Sequence, residues 1–379
     1  MIKKNLKLEL VVIWLIFFLQ TMSFLMTLNL NFLKYISIFI LNGLVILKCI
    51  KNGINEKDLV IFLILFIILL LSCAFQNTLI SGKISSIVFY ITFLTWSLLS
   101  YKIINKREQI LYVVYGISIA VIIGLVITFN EVLSQLASIY NSRTRLWGGF
   151  THPNQLGGIV SSAIIGLYTY KFLGGVKLKN KKYYYLSLIV LIVLLYATKS
   201  RTSWIVTIVA ITVMNIKFIS TKQKSIRILL YSLLVFGTIF IGYFFITEYA
   251  LQDTAFTGRL AIFNTMEVKP KTFLVGNGMV NAANLNRENT NGGAMEIAWV
   301  MLFYKNGIIG VLTFIIIILI LLCRLKKVKN INQVWAFRGI LIAFMIGTVG
   351  EAYMVNITNI PSLFNWVILC VLSSSKFIV

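Results

Sequence analysis

The sequence has few of the residues on which metal, redox and soluble-domain chemistry depends. Charged residues make up 12% of it and hydrophobic residues 59%, with a mean hydropathy of +0.91, which excludes a water-soluble domain. Its aspartates are Asp58 and Asp253 alone, and no Asp-x-Asp pair occurs. This scarcity disfavours a metal-bound nucleotide-sugar donor, which commonly needs paired carboxylates to hold the cation. We therefore expect neither a metal nor a cofactor.

Cysteine and proline are also scarce, with four and three residues respectively. The cysteines lie within or at the ends of apolar stretches and lack CxxC spacing, so neither a disulfide framework nor a zinc site is indicated. No repeat of 20 to 50 residues and no proline or glycine run divides the chain. The sequence predicts one membrane domain over residues 1–379.

Apolar runs dominate what is present. Crossing about 30 Å of hydrocarbon takes about 20 residues of helix, and twelve stretches meet that length. The twelve predicted spans begin near Leu8, Leu30, Asp58, Ile84, Gln109, Gln155, Tyr183, Thr202, Ile226, Glu296, Trp335 and Pro361.

Lysine and arginine give the predicted spans an orientation. A cytoplasmic N-terminus places 24 of the 35 basic residues in inside segments, and one missed helix would scramble this bias. We therefore expect an all-α polytopic membrane protein of about 12 spans with both termini cytoplasmic. The stretch from Leu8 to Leu28 lacks a small-residue cleavage site, so we interpret it as a retained helix. The basic residues sit in short loops, which favours contact with membrane lipids over a nucleic-acid partner.

Two predicted outside loops are long enough to carry function. One covers about residues 130–154 and contains Arg143 and Arg145. The other covers about residues 248–295, between the ninth and tenth predicted spans, and contains Arg259. The planar guanidinium group binds phosphate oxygens in pairs, so arginines that converge on one outer cavity would hold a diphosphate.

A tight outside turn at residues 198–202 carries two more cations, Lys199 and Arg201. The positive-inside tendency disfavours cations at this place. One interpretation is that both side chains extend to the lipid headgroups, as long basic side chains readily do. The other is an anion site that faces the outer leaflet.

Five short motifs occur in a characteristic order on this predicted topology. The set resembles the O-antigen ligase and Wzy-type polysaccharide polymerase membrane superfamily over roughly residues 143–322. The motifs are the stretch from Arg145 to Gly157, the turn from Thr198 to Thr202, Thr257-Gly258-Arg259-Leu260, the segment from Leu274 to Gly278, and the segment from Lys305 to Gly310.

The resemblance implies an inverting, metal-independent glycosyl transfer at the outer face of the plasma membrane. Both donor and acceptor would be oligosaccharides linked to undecaprenyl diphosphate, and a chain-length regulator and a flippase would be possible partners. The residues expected to bind the diphosphate and its sugar are Arg143, Arg145, Lys199, Arg201, Arg259 and Asn154.

A general base would assist the acceptor hydroxyl, and His152, Glu296 and Glu351 are candidates. His152, the single histidine, also suits a His-Pro-Asn turn with Asn154 as the N-cap of the next helix. Glu351 lies near the outer end of the eleventh predicted span and could instead pair with a nearby cation. Glu296 could equally be an acidic residue favoured by the dipole at a helix start.

Two other functions share this topology. A flippase for lipid-linked oligosaccharide would also need cations for a diphosphate, but it should place them deep along a crossing path. Ligases of the superfamily tend to carry a histidine late in the large outside loop, and the stretch 289–299 has none. This departure favours a polymerase over a ligase.

Overall fold

The computed structural model describes residues 2–76, 78–138, 144–174, 181–220, 228, 232, 270–278, 298–351, 356 and 358–378. Within these ranges every extended regular element is a helix, and β-structure is limited to isolated bridges between Leu25 and Phe150 and between Lys106 and Ile378. The described helices are α1 (Ile2–Met22), α2 (Phe32–Asn52), α3 (Glu56–Phe75), α4 (Ile80–Leu99), α5 (Arg107–Ile127), α6 (Phe129–Ala137), α7 (Pro153–Phe172), α8 (Lys181–Thr198), α9 (Arg201–Ser220), α10 (Pro270–Val275), α11 (Ala298–Leu325), α12 (Ile331–Gly350) and α13 (Ile360–Leu372).

Seven of these helices, namely α2 to α5, α8, α11 and α12, are long and apolar enough to cross a membrane. The apolar part of α1 and the whole of α13 are shorter, and α7 and α9 carry several serine and threonine side chains. The span predicted near Ile226 lies outside the described residues. The described part of the chain is therefore all-helical, and its seven long apolar helices are those of a membrane protein; the count of twelve spans stays a prediction.

The predicted inside segments meet at one end of the bundle, which we call the basic end. There α1 contacts α2, the start of α5 contacts the 376–378 segment, α9 contacts α12, and α11 contacts α4. The bonds are Lys48 to Glu9, Arg107 N–H to the Ile378 carbonyl at 3.1 Å, Lys217 to Asn332 at 2.6 Å, and Arg324 to the Leu98 carbonyl at 2.8 Å.

The predicted outside segments meet at the opposite end, which we call the Arg145 end. There the N–H of Met26 donates to the carbonyl of Gly149 at 2.9 Å, and Arg145 donates to the carbonyl of Thr198 at 3.0 Å. The helices thus alternate in direction as the charge pattern predicts for these segments. Which end faces the cytoplasm stays a prediction.

The centre of the bundle is aromatic. The ring of Trp366 in α13 lies 4.8 Å from that of Phe314, 5.2 Å from Phe93 and 5.3 Å from Phe344, centroid to centroid. Every residue of α13 is buried. By contrast, α2, α3 and α8 expose rows of isoleucine, leucine and aromatic side chains. Exposed apolar faces of this extent are typical of lipid contact.

The predicted loop at 130–154 contains a helix that the sequence interpretation missed. Helix α6 buries Val132 and exposes Phe129, Leu133 and Leu136. An amphipathic helix of this kind suits the membrane interface, where one side meets acyl chains and the other meets headgroups.

Candidate functional site

Helix α7 begins directly after His152. The backbone of His152 is extended (φ −163°, ψ 148°), and Pro153 takes the first helical position, where its missing N–H breaks no helical hydrogen bond. The Nδ1 atom of His152 accepts a hydrogen bond from the N–H of Asn154 at 3.2 Å. The prediction that Asn154 is the N-cap is therefore wrong. A residue before proline is held extended, which makes His152 the cap.

The side chain of Asn154 has a different partner. Its Oδ1 atom accepts a hydrogen bond from the guanidinium group of Arg145, and the Nε of Arg145 donates to the main-chain carbonyl of Thr198 at 3.0 Å. One arginine thus joins the 144–150 loop to the start of α7 and the end of α8. The structure brings together two residues that the sequence analysis proposed as substrate ligands.

The loop that carries Arg145 is fixed on both sides. The N–H of the buried Leu146 donates to the carbonyl of Ala197 at 2.9 Å. The N–H of Gly148 donates to the side-chain oxygen of Gln135 in α6 at 3.0 Å. Arg145 is therefore held in position before any ligand arrives, which reduces the entropy lost on binding.

The turn between α8 and α9 places two more cations beside Arg145. Lys199 has a left-handed backbone (φ 49°), which is uncommon for a residue with a side chain. Its N–H donates to the carbonyl of Tyr196 at 3.0 Å, and the N–H of Ser200 donates to the hydroxyl of Thr198 at 3.3 Å. These bonds stabilise a sharp turn from which Lys199 and Arg201 emerge half-exposed.

The turn packs closely on α7. A Cβ on Gly157 would lie 2.6 Å from the Cβ of Ser200 and 2.9 Å from the hydroxyl of Ser203. The Ser200 and Ser203 hydroxyls bond each other at 2.7 Å. Glycine at this position lets the helices approach, and the approach puts Arg201 next to the start of α7.

Glu351 lies at the same end of the bundle. It was predicted inside a span, but α12 ends at Gly350 and Glu351 is its C-cap, with extended backbone and 6% exposure. A Cβ on Gly350 would lie 3.0 Å from the hydroxyl of Thr202. The buried carboxylate thus follows a residue that touches the first turn of α9, where Arg201 begins the helix.

The structure therefore gathers Arg145, Asn154, Lys199, Arg201 and Glu351 around the ends of α7, α8, α9 and α12. His152 is nearby and exposed at the start of α7. The predicted ligands Arg143 and Arg259 and the predicted base Glu296 lie outside the described residues.

A second polar cluster was missed from the sequence. Helix α11 is interrupted at Gly307, which has φ 62°. The Nε2 of Gln76 donates to the carbonyl of Val275 at 3.0 Å, and the hydroxyl of Tyr90 donates to the Oδ1 of Asn306 at 2.9 Å. The glycine motifs of this region were visible in the sequence. The position of Gln76 was the sequence signal for this contact, because a glutamine at the end of an apolar span needs a hydrogen-bond partner.

Two further lysines lie at the Arg145 end of the bundle. Lys34 is in the first turn of α2, and Lys305 lies two residues before the interruption in α11. Among the ion pairs of the described residues, neither lysine has an acidic partner. Cations within membrane helices are costly without a partner or a ligand.

The described residues contain no group of three or more His, Cys, Asp or Glu side chains placed to hold a metal ion. No family model matches the chain, and no curated protein matches it. The resemblance to the O-antigen ligase and polymerase superfamily therefore stays a prediction.

Proposed function

We propose that the protein polymerises undecaprenyl-diphosphate-linked oligosaccharide repeat units into a surface polysaccharide at the outer face of the plasma membrane. One observation carries the proposal: Arg145, Lys199 and Arg201 meet at a single turn. This turn lies at the end of the bundle that the charge pattern predicts to be outside, where the positive-inside tendency disfavours cations. A bound diphosphate would place its negative charges among these three cations. Arginine keeps its charge in a poorly hydrated site and matches paired phosphate oxygens.

The proposed reaction needs little more than charge stabilisation and orientation. A hydroxyl oxygen of the acceptor sugar attacks the anomeric carbon of the donor, and the bond from that carbon to the diphosphate oxygen breaks. The hydroxyl proton passes to a base, and undecaprenyl diphosphate leaves with the electron pair. Cations held in place before the reaction stabilise the departing negative charge without reorganisation.

Lys34 and Lys305, at the same end of the bundle, suit the second substrate. Donor and acceptor each carry a diphosphate, so a polymerase must accommodate two of these anions at one membrane face. Lys34 and Lys305 lie on helices different from those of the Arg145 cluster. We assign the Arg145 cluster to the leaving diphosphate of the donor and the two lysines to the diphosphate of the acceptor.

The base is drawn from His152, Glu351 and Glu296. Because Nδ1 of His152 accepts the Asn154 N–H, a neutral imidazole carries its proton on Nε2 and offers substrate a donor. This tautomer suits a hydrogen bond to a sugar or phosphate oxygen better than proton abstraction. The buried carboxylate of Glu351, beside the first turn of α9, is the preferred base among the described residues.

The test is complementation of a deletion strain, with surface glycan separated by size. Arg201→Ala should collapse long chains to single repeat units, and Arg201→Lys should restore them only in part. Lys217→Ala is the matched control, because Lys217 is a cation on the same helix at the basic end, bonded to Asn332. Chain lengths that stay normal in Arg201→Ala, with wild-type protein levels, would overturn the proposal.

The interruption of α11 favours a second candidate. Broken helices at membrane depth are typical of transporters, where they line a crossing path. A flippase would leave repeat units trapped on the inner face in the deletion strain, whereas a polymerase would leave them on the outer face. A ligase would leave long chains intact and still lipid-linked, so one leaflet-resolved assay separates the three functions.

A further inference from the structure

A cleft of about 460 Å³ opens at the basic end, away from the Arg145 cluster. It lies between α3, the end of α11 and the 373–376 segment. Its wall toward the membrane is apolar and includes Ile61, Ile316 and Leu319, the last of which is 54% exposed. The cleft therefore has one side that suits hydrocarbon.

The floor of the cleft is an ion pair with its polar atoms satisfied. Arg324 donates to Asp58 at 2.9 Å and to the carbonyl of Leu98 at 2.8 Å. The hydroxyl of Tyr101 donates to the other carboxylate oxygen of Asp58 at 2.7 Å. Asp58 is the one acidic residue among the described residues that line the cleft, and this pairing neutralises it.

Three further lysines line the cleft and are exposed: Lys57, Lys327 and Lys376. Each is fixed through its backbone. The N–H of Lys57 donates to Asn55 at 3.2 Å, that of Lys327 to the carbonyl of Arg324 at 3.0 Å, and that of Lys376 to the hydroxyl of Ser374 at 3.2 Å. The cleft thus joins an apolar wall to a rim with three positive charges that no lining carboxylate balances.

We propose that this cleft binds one anionic phospholipid, with the phosphate among Lys57, Lys327 and Lys376 and the acyl chains along the apolar wall. The shape and the charge both argue for this occupant. A soluble anion would leave the wall uncovered, and a neutral lipid would leave the lysines uncompensated. Basic pockets between membrane helices are suited to anionic headgroups. The site is distinct from the proposed glycosyl-transfer site and does not depend on it.

The opposite side of α3 supplies an internal comparison. A second cleft, of about 480 Å³, lies between α2, α3 and α4. Its described lining includes Val45, Ile50, Phe62 and Phe66 and contains no charged residue. It should accept acyl chains without regard to the headgroup. The two clefts are therefore similar in volume and in their apolar walls, and they differ in the three lysines that line the first.

The experiment is native mass spectrometry of the full-length protein in detergent after removal of endogenous lipid. Phosphatidylglycerol, phosphatidylethanolamine and inorganic phosphate are added separately as probes. We expect one phosphatidylglycerol to bind at least about tenfold more tightly than phosphatidylethanolamine, because its net negative charge attracts the lysines, whereas the ammonium group of phosphatidylethanolamine offsets its phosphate and repels them. The triple variant Lys57→Ala/Lys327→Ala/Lys376→Ala should lose that preference.

Two further variants separate a lipid site from simpler explanations. Lys171→Ala/Lys181→Ala/Lys182→Ala removes three cations near α8 and should keep the preference. Leu319→Trp should fill the cleft from the membrane side. It should weaken the binding of phosphatidylglycerol and leave the binding of inorganic phosphate unchanged. Equal losses in the two triple variants would mean general charge attraction and overturn the site. Inorganic phosphate that binds wild type as tightly as phosphatidylglycerol, or no effect of Leu319→Trp, would overturn the lipid assignment.

Discussion

Arg145 and Asn154 come from opposite sides of the 144–152 connection, and the guanidinium group of the first donates a hydrogen bond to the side-chain oxygen of the second. The same guanidinium group also reaches the end of α8 through the carbonyl of Thr198. The orientation of the candidate ligand Arg145 therefore depends on the start of α7. The predicted ligand Asn154 therefore also controls how the predicted ligand Arg145 is presented.

Asn154→Ala removes the acceptor and should lower the rate of glycan polymerisation about tenfold, because a hydrogen bond to a charged group contributes about 1.5–3 kcal/mol. The measurement is initial rate in vesicles supplied with lipid-linked repeat units. Asn332→Ala is the control, since Asn332 accepts from Lys217 at the basic end in the same way. Equal effects of the two variants would contradict a role for Asn154 in positioning Arg145.

His152 is an N-cap by geometry, and a substitution pair tests whether that is its main role. His152→Ala should lower the free energy of unfolding by about 1 kcal/mol, because the Asn154 N–H loses its side-chain acceptor. His152→Asn supplies a good capping oxygen without an imidazole, and it should restore both stability and polymerisation. Thermal unfolding and vesicle activity are measured on the same preparations. Restored stability with absent activity would assign the imidazole a direct part in the reaction.

Gly307 combines a positive-φ backbone that side chains rarely adopt with a close contact, and Gly53 separates the two effects. Both glycines have positive φ, but a Cβ on Gly307 would lie 2.3 Å from the carbonyl oxygen of Leu274, whereas nothing lies within 4 Å of one on Gly53. Gly53→Ala should cost about 1–3 kcal/mol from backbone conformation alone, because positive φ with extended ψ is open essentially to glycine only.

Gly307→Ala should cost clearly more than Gly53→Ala, roughly 3 kcal/mol or above, because backbone atoms cannot move aside cheaply. The two variants are compared by thermal unfolding in detergent. Similar midpoints would mean that the 274–278 segment does not rest on the interruption of α11 as described.

The Asp58–Arg324 pair should matter more to stability than the Glu9–Lys48 pair at the same end. The side chains of the first are 13% and 17% exposed, and those of the second 33% and 24%. Asp58→Asn leaves a largely buried arginine without a counter-charge and should cost about 3 kcal/mol. Glu9→Gln should cost less than about 1 kcal/mol. Thermal unfolding of the two variants is the measurement, and a larger loss in Glu9→Gln would contradict the ranking.

Hydropathy and charge predicted the main spans and their alternation, because transfer of a helix into lipid depends on its own side chains. They did not predict α6, which is too short to register as a span and too apolar on one face to be a plain loop. The outside arginines were recognisable as cations in an unfavourable place. Their partners were not, since the bond from Arg145 to Thr198 joins residues 53 positions apart.

The contact between the interruption of α11 and the 274–278 segment was likewise not predictable from the sequence. Gly276 and Gly307 were noted as motif residues, but Gly276 packs on Lys305 and Gly307 on Leu274, and these contacts depend on how the two segments rotate and approach. The side chain of Gln76 donates a hydrogen bond to Val275 in this segment, because a polar group at the end of an apolar span needs a buried partner. The residue pattern of one helix does not show which residue of another segment will be that partner.

Helix α13 is enclosed by α4, α7 and α12, all of which precede it along the chain. A ribosome delivers those neighbours to the membrane before it delivers Trp366, whose ring occupies the middle of the aromatic cluster. The contacts that enclose α13 can therefore form only after translation has passed residue 372. Until then, the place of α13 is open to lipid or to a membrane chaperone, and late ribosomal stalling would yield a chain that is inserted but not closed.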